Sequence, residues 1–494
     1  MSHIESKIRR LPVTLAPNPA RVLVRPFIPS LIVKPSSHQE SNLRVIHIFS
    51  RVMQLDETEV TAQLDQVLHD FGGRHQRVRE IFNERYEQVR GQLPTDRSLT
   101  ECRRLLLGSY FTNEYSLESS ALFNPSIVPH PDQSGLAEGH LRFVLSLRAT
   151  GEGHISSITF RSGLIAPDGE IELDPVSRFV QQPDQRSANF EKELFRRKLH
   201  EIGVDRGHVQ RVLDGVPPEF TMDHLIAQVR RLRAATAEND LLRAAERAMM
   251  LARSNYSMCF DPSSPISERV VFPHAPSESN GIEDARFVRF TDDDGNVTYF
   301  ATYTAYDGSV VLPQMVETPN FHDFHVCTLN GPAVRNKGLA LFPRKIDGRY
   351  VMLGRQDSEN IHLMVSDNPH FWHESEVILR PAEPWEFIQL GNCGSPMEID
   401  EGWLVLTHGV GPMRKYCIGV ILLDRDNPAR VIGRLREPLL RPAPDEREGY
   451  VPNVVYSCGA LVHEGLLILP YAVSDTSSRF ATIPVNEIIS AMRE

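Results

Sequence analysis

The feature that most constrains this chain is a recurring pair: an acidic residue and a glycine set just before a short apolar run. The pairs Asp294-Gly295, Asp347-Gly348, Glu401-Gly402 and Glu464-Gly465 precede Tyr299-Phe300-Ala301-Thr302-Tyr303, Tyr350-Val351-Met352-Leu353, Trp403-Leu404-Val405-Leu406 and Leu466-Leu467-Ile468-Leu469. Glycine tolerates the positive φ of a tight hairpin, so each pair predicts a turn feeding a strand. The turns recur every roughly 50–65 residues, the length of one four-stranded propeller blade. With a similar strand-rich unit at 110–185, the count is five. The expected fold is mainly β, a five-bladed β-propeller with added α-helical regions.

Two stretches break the pattern. Over 56–108, Val60, Leu64, Val67, Leu68 and Phe71, then Val78, Ile81, Phe82 and Tyr86, recur at spacings of three and four with charges between them, which predicts an amphipathic helical pair broken at Gly72-Gly73. Over 188–252, Phe190, Leu194, Leu199, Leu225, Val229, Leu232, Leu241, Leu242 and Ala245 behave alike, split by Gly215-Val216-Pro217-Pro218. The predicted organisation is an N-terminal strap and helical region (1–109), a first blade (110–187), a helical insertion (188–252) and the remaining blades with the active site (253–494). Residues 1–55, irregular and proline-containing, read as a surface strap. Neither apolar stripe is wide enough to be buried on all sides, so the helices are expected to pack on each other and on the propeller flank, or to form a homo-oligomer interface.

Charge narrows the partners. Fifty-three Lys and Arg against 64 Asp and Glu leave −11 over 494 residues, which argues against a nucleic-acid or membrane-surface partner while allowing one small basic pocket. The six cysteines, Cys102, Cys259, Cys327, Cys393, Cys417 and Cys458, show no CxxC spacing and read as free thiols of a reducing compartment. Met1 through Lys7 has no apolar signal core, so the expected location is cytoplasmic.

Three groups could carry chemistry. Asn280-Gly281-Ile282-Glu283-Asp284-Ala285-Arg286 places two carboxylates and an arginine at the mouth of a strand. Successive residues there point to opposite faces, so one carboxylate can face a cavity, where desolvation would raise its pKa toward that of a general acid. A solvated turn with a surface ion pair is the plainer alternative. Lys337 and Arg355, at neighbouring strand ends, could hold a phosphate; ordinary charged strand ends have the same composition. Glu398 and His408 flank the third apolar run. His322 and His325 have no Cys or Glu at zinc spacing nearby, so no metal site is expected. Neither a dinucleotide fingerprint nor a nucleophile elbow is present.

These stretches, with Glu118-Ser119-Ser120-Ala121-Leu122-Phe123-Asn124-Pro125, Leu145-Ser146-Leu147-Arg148-Ala149, Asn453 through Ala460 and Tyr471-Ala472-Val473-Ser474-Asp475-Thr476, follow one another in an order that resembles glycoside hydrolase family 130, the β-mannoside phosphorylases and β-mannosidases. The resemblance implies a five-bladed propeller with Asp284 as general acid, acting through a mannose hydroxyl. It implies that Asn124, Arg148 and Asp475 hold the mannosyl unit and that Lys337, Arg355 and His408 bind phosphate; Glu283, Arg286 and Glu398 join the expected substrate-binding set. Ala285 stands where the family usually has Pro, and Thr407 where a Tyr is common before His408. The expected reaction is inverting phosphorolysis of a β-mannoside to α-mannose 1-phosphate and a shorter sugar, with inorganic phosphate as co-substrate and no cofactor. A phosphorylase needs no second carboxylate to activate water, whereas an inverting hydrolase does. The alternatives are a β-mannosidase using Glu398 as base, and a non-catalytic glycan-binding propeller.

Overall fold

Hairpins leave the acid–glycine turns as expected. Strand Ile282–Thr291 pairs antiparallel with Val297–Tyr306 across Gly295, and Leu461–His463 pairs with Leu466–Val473 across Gly465. The computed structural model describes residues 4–29, 38–93, 97–308 and 311–493. Positions 1–3 and 30–37 of the expected strap lie outside the described residues. The chain divides into two units: Met1–Pro17 with Glu118–Val176 and Gln182–Glu494, and Asn18–Leu117 with Ser177–Gln181.

The larger unit is mainly β. Its described residues form five antiparallel sheets of four to six strands. The first joins Ala121–Pro129, Leu141–Thr150, Ser156–Ile165 and Val270–Val271, with Ile171–Leu173 beside them. The second runs from Ile282–Thr291 through Val297–Tyr306, Val311–Thr318 and Asp323–Thr328 to Tyr256–Cys259 and Asp184–Ser187. The third holds Ala340–Leu341, Tyr350–Gly354, Ile361–Ser366 and Ser375–Leu379. The fourth holds Gln389–Asn392, Gly402–Val410, Tyr416–Leu423 and Val431–Arg434. The fifth takes Arg9–Leu15 onto Ser477–Pro484, then Leu466–Val473 and Val455–Tyr456. Part of the expected strap is therefore a strand.

Each sheet shares an apolar cluster with the next. Phe160 of the first packs with Phe287 and Phe324 of the second; Phe290 of the second with Leu341 and Met352 of the third; Leu353 of the third with Trp403 and Val405 of the fourth; Leu406 of the fourth with Leu469 and Tyr471 of the fifth. Phe480 and Leu11 of the fifth then meet Phe143 and Leu145 of the first. Burial at about 25 cal/mol per Å² of apolar surface is what holds such layers together.

A repeat that turn spacing does not reveal positions the site. The short turns Pro276–Glu278, Pro384–Glu386 and Pro444–Glu446 each end in a fully buried glutamate. Each carboxylate accepts from the backbone N–H three residues earlier, at 3.0, 3.0 and 2.9 Å. Further partners are Tyr256 and Tyr303 for Glu278, Arg434 for Glu386, and Tyr471 for Glu446. A buried carboxylate survives only with such partners. Glu118, buried against Arg161 at 2.7 Å, stands at the head of the first sheet. Six residues beyond Glu118, Glu278 and Glu386 come Asn124, Asp284 and Asn392. The strands carrying Asn124 and Asp284 both lose register there, between Phe123 and Ser126 and between Glu283 and Arg286.

The helices differ from expectation in number and grouping. The smaller unit contains His38–Gln54, Glu57–Phe71, Val78–Val89 and Glu101–Tyr110, and a ribbon of Val22–Pro26 with Thr112–Ser116. Residues 112–116, expected in the first blade, thus belong to this ribbon, and Asp184–Ser187 belongs to the second sheet. The insertion forms Lys192–Glu201, Arg206–Leu213, Met222–Ala235 and Asn239–Arg253 within the larger unit. Each helical region closes its own apolar cluster, around Leu199, Leu225 and Leu241 in one and around Phe49, Val60 and Leu107 in the other. No described helix is long and apolar enough to cross a membrane.

Candidate active site

Asp284 lies where the ladder of Ile282–Thr291 is interrupted, and its φ is +56°. Bulges of this kind re-aim a side chain. Gly281 makes the approach possible: its φ is +115°, and a Cβ there would sit 2.5 Å from Ser156 Oγ. Asn124 and Asp475 also adopt left-handed backbone, at +49° and +51°. All three line one cavity of ≈ 340 Å³ together with Arg148, Lys337, Arg355 and His408.

Hydrogen bonds tie the carboxylate side together. Asn124 Nδ2 donates to Asp284 Oδ1 at 2.6 Å, and Arg148 Nη1 lies 3.5 Å from the same oxygen. Arg148 Nη2 and Lys337 Nζ hold the two oxygens of Glu283, at 3.0 and 3.3 Å. Burial pushes Asp284 up, but Arg148, Lys337 and Arg286 with the Asn124 amide outweigh it, holding the carboxyl below its ordinary value. The expected upward shift is thus reversed by three cations. Asp475 goes the other way: burial first, then the charge of Asp284, push it up to about 6. The protonatable carboxyl of the resting cavity is Asp475.

Arg355 and His408, on the cationic side, are buried. His408 Nδ1 lies 3.1 Å from the Asn392 carbonyl, which can only accept, so Nδ1 carries the proton. Its Nε2 then accepts from Arg355 Nη1 at 3.2 Å and from Gln389 Nε2 at 3.3 Å. Burial, then Arg355 and Arg286, hold the imidazole well below its usual range, so it is neutral. Gly391 leaves room for this pair, since a Cβ there would meet His408 Cε1 at 2.5 Å and Arg355 Cδ at 3.3 Å.

Arg286 is buried behind the cavity, donating to Asn392 Oδ1 and, at 2.6 Å, to the Tyr456 hydroxyl. Glu398 is not brought into the site. It pairs with Arg344 through both oxygens, at 2.8 and 2.6 Å, and does not line the cavity.

Residues 260–494 match a family profile described as beta-1,4-mannooligosaccharide phosphorylase. Over 231 residues the chain is 32% identical to a 1,2-beta-oligomannan phosphorylase of Thermoanaerobacter sp. (strain X514), covering 45% of this chain and 75% of that one. The chain belongs to glycoside hydrolase family 130. It is also 30% identical over 227 residues to a beta-1,2-mannobiose phosphorylase of Listeria innocua, 44% of this chain and 62% of that one. A solved beta-1,2-mannobiose phosphorylase from Listeria innocua superposes with a TM-score of 0.46 at 21% identity, covering 76% of this chain and 92% of that one.

The segment matched to family 130 contains Asp284, Lys337, Arg355, His408 and Asp475, whereas Asn124 and Arg148 precede it. The first sheet brings those two to the same cavity. Sequence reasoning missed Gln389, Asn392, Arg414, Tyr416 and Tyr456. The sixth-residue offset from Glu386 would have found Asn392; Gln389, Arg414 and Tyr416 carry no comparable signal.

Proposed function

We propose that this chain carries out reversible, inverting phosphorolysis of a β-mannoside on a five-bladed β-propeller. The ring of five sheet-to-sheet clusters supports the propeller, as does the N-terminal strand completing the last sheet. The observation that carries the reaction is one cavity joining Asp284, the sugar-holding candidates and three phosphate-holding candidates. Asn124, Arg148 and Asp475 hold the mannosyl ring; Lys337, Arg355 and His408 hold phosphate against the anomeric carbon. One phosphate oxygen forms the new C–O bond as the glycosidic bond breaks. The departing oxygen takes a proton from Asp284 through a mannose hydroxyl.

Asp284 can supply that proton only after gaining one, because the free cavity keeps it ionised. A bound phosphate dianion offsets Lys337 and Arg355 and adds negative charge nearby, which raises the carboxyl. Phosphate binding and loading of the acid are therefore coupled. Neutral His408 accepts from Arg355 Nη1 through Nε2, which orients the guanidinium that donates to phosphate. Orientation of the nucleophile supplies much of the rate. Glu398, the base of the hydrolase alternative, is engaged by Arg344 outside the cavity.

The test is incubation with β-1,2-, β-1,3- and β-1,4-mannobiose, with and without phosphate. α-Mannose 1-phosphate formed only with phosphate supports the reading. Equal release of free mannose in both conditions overturns it.

A further inference from the structure

Among the described residues, Glu317, Cys327 and His370 bring a carboxylate oxygen, a sulfur and an imidazole nitrogen within 4.8 Å of one another. None lines the cavity of Asp284. Glu317 and Cys327 come from the adjacent strands Val311–Thr318 and Asp323–Thr328, with Cys327 Sγ 3.8 Å from Glu317 Oε1. His370 Nε2 contacts that same oxygen. His325 lies directly opposite Glu317 in the ladder and shares a strand face with Cys327, two residues on. Its Nδ1 is 3.1 Å from the Ser257 hydroxyl.

The backbone holds this arrangement without using the imidazole of His370. Asn330 N–H donates to the His370 carbonyl at 2.8 Å, Trp372 N–H to the Asn330 carbonyl at 2.8 Å, and His370 N–H to Asn368 Oδ1 at 2.8 Å. Cys327, His325 and His370 line a cavity of ≈ 210 Å³ whose other wall is Phe190, Phe195 and Lys198 of the insertion. The Lys198 ammonium is committed to the Leu329 carbonyl at 2.5 Å and to Glu201 at 3.3 Å.

We propose that Glu317, Cys327 and His370 form a zinc site, with His325 Nε2 or a water from the adjoining cavity in the fourth position. Thiolate, imidazole and carboxylate are the donor types that a borderline-soft, tetrahedral Zn²⁺ takes. Bonds of about 2.3 Å to sulfur and 2.0–2.2 Å to nitrogen and oxygen put tetrahedral ligand atoms roughly 3.4–3.6 Å apart. The sulfur–oxygen separation is already close to that. Zinc binding forms the bond from Cys327 Sγ to the metal and releases the thiol proton to solvent. The site ties two strands of the second sheet to the 367–373 segment, on the wall shared with the insertion. Its role is structural, since none of its ligands reaches Asp284.

Fold and not sequence spacing assembles this set: 317, 327 and 370 follow no zinc pattern, and His325 alone points nowhere.

The test uses the full-length chain, stripped with chelator and titrated with Co²⁺ and then Zn²⁺. One equivalent per chain is expected, with a thiolate-to-cobalt charge-transfer band that zinc abolishes and a zinc-dependent rise in Tm. Cys327→Ser should remove the band. His370→Gln should weaken zinc by at least about 10–100-fold, which loss of an outer-shell partner alone produces. Cys259→Ser, at an exposed thiol, should change neither. Absence of the band in the unmodified protein overturns the site whether or not the variants fold. So does a band lost in Cys259→Ser and kept in Cys327→Ser.

Discussion

The two walls of the cavity are built by opposite means. On the carboxylate wall, Asn124, Asp284 and Asp475 all sit in left-handed backbone, and the first two interrupt their ladders. Left-handed non-glycine residues are held at about 1–3 kcal/mol each when the surroundings over-determine them. On the cation wall, His408 lies inside Gly402–Val410 with unbroken register, and Arg355 follows the regular strand Tyr350–Gly354. Buried hydrogen bonds, not strain, fix that pair. Aiming a carboxylate across a reacting bond requires directions the pleat does not offer. Holding an anion requires only donors at fixed spacing, which a regular strand supplies.

The sharpest way to break this division is at Asp284. Positioned acid catalysis contributes roughly 10²–10⁴-fold, so Asp284→Asn should lower kcat by that factor while the phosphate dissociation constant stays the same or falls, because a neutral side chain replaces the carboxylate that opposes the anion. Calorimetry with phosphate alone, beside steady-state rates, checks both halves. A kcat falling less than tenfold would remove the acid from this wall.

Arg355→Ala attacks the opposite wall. A hydrogen bond to a charged group contributes about 1.5–3 kcal/mol, so KM for phosphate should rise roughly 10–100-fold, at about 1.4 kcal/mol per factor of ten. KM for the mannoside should move much less, because Asn124, Arg148 and Asp475 are untouched. Gly391→Ala should shift the same constant in the same direction by displacing His408 and Arg355. Equal losses for both substrates would merge the two walls into one.

Asp475 sharpens the comparison through pH. Its carboxyl is raised to about 6 in the folded chain, above the unfolded value of about 3.9. The folded state therefore binds more protons between those values. The stability this group contributes is fully present below pH ~4 and lost as pH rises through about 6, on the order of 3 kcal/mol. Asp475→Asn should flatten the fall in Tm between pH 4.5 and 7 relative to the unmodified chain. A parallel slope in both proteins would show that burial and the charge of Asp284 do not raise the Asp475 carboxyl.

How much of this was legible in the sequence depended on whether the signal was local. Asp294-Gly295 and Glu464-Gly465 announced their hairpins because a turn is decided by two residues. The stretch Glu283-Asp284-Ala285-Arg286 offered two carboxylates and an arginine together, but only the resemblance to family 130 set it above a solvated turn. Direction of the Asp284 shift was not legible: it depends on Arg148 and Lys337, 136 and 53 positions away, brought close only by sheet packing. The buried glutamates Glu278, Glu386 and Glu446 were visible as Pro-x-Glu, yet their burial is set by Tyr256, Arg434 and Tyr471 from other strands. The same holds for Arg9–Leu15, where Leu11, Val13 and Leu15 alternate but Pro12 interrupts the run, and pairing with Ser477–Pro484 fixes the strand.

The smallest expected effect is the one that separates phosphorolysis from hydrolysis. Glu398 forms a bidentate pair with Arg344, whose guanidinium also lies 4.9 Å from the Trp403 ring centroid. Both side chains are more than a third exposed, at 35% and 39%, and exposed pairs contribute about 0–1 kcal/mol. Glu398→Gln should leave phosphate-dependent turnover within about twofold, far inside the 10²–10⁴ of a catalytic acid or base. A hydrolase that used Glu398 to activate water would instead lose its phosphate-independent release of mannose by that larger factor. Measuring both rates on the same variant decides the matter. A large drop in either would mean that Glu398 reaches the substrate, and the division of the cavity into one carboxylate wall and one cation wall would have to be redrawn around a third element, the strand Met397–Ile399.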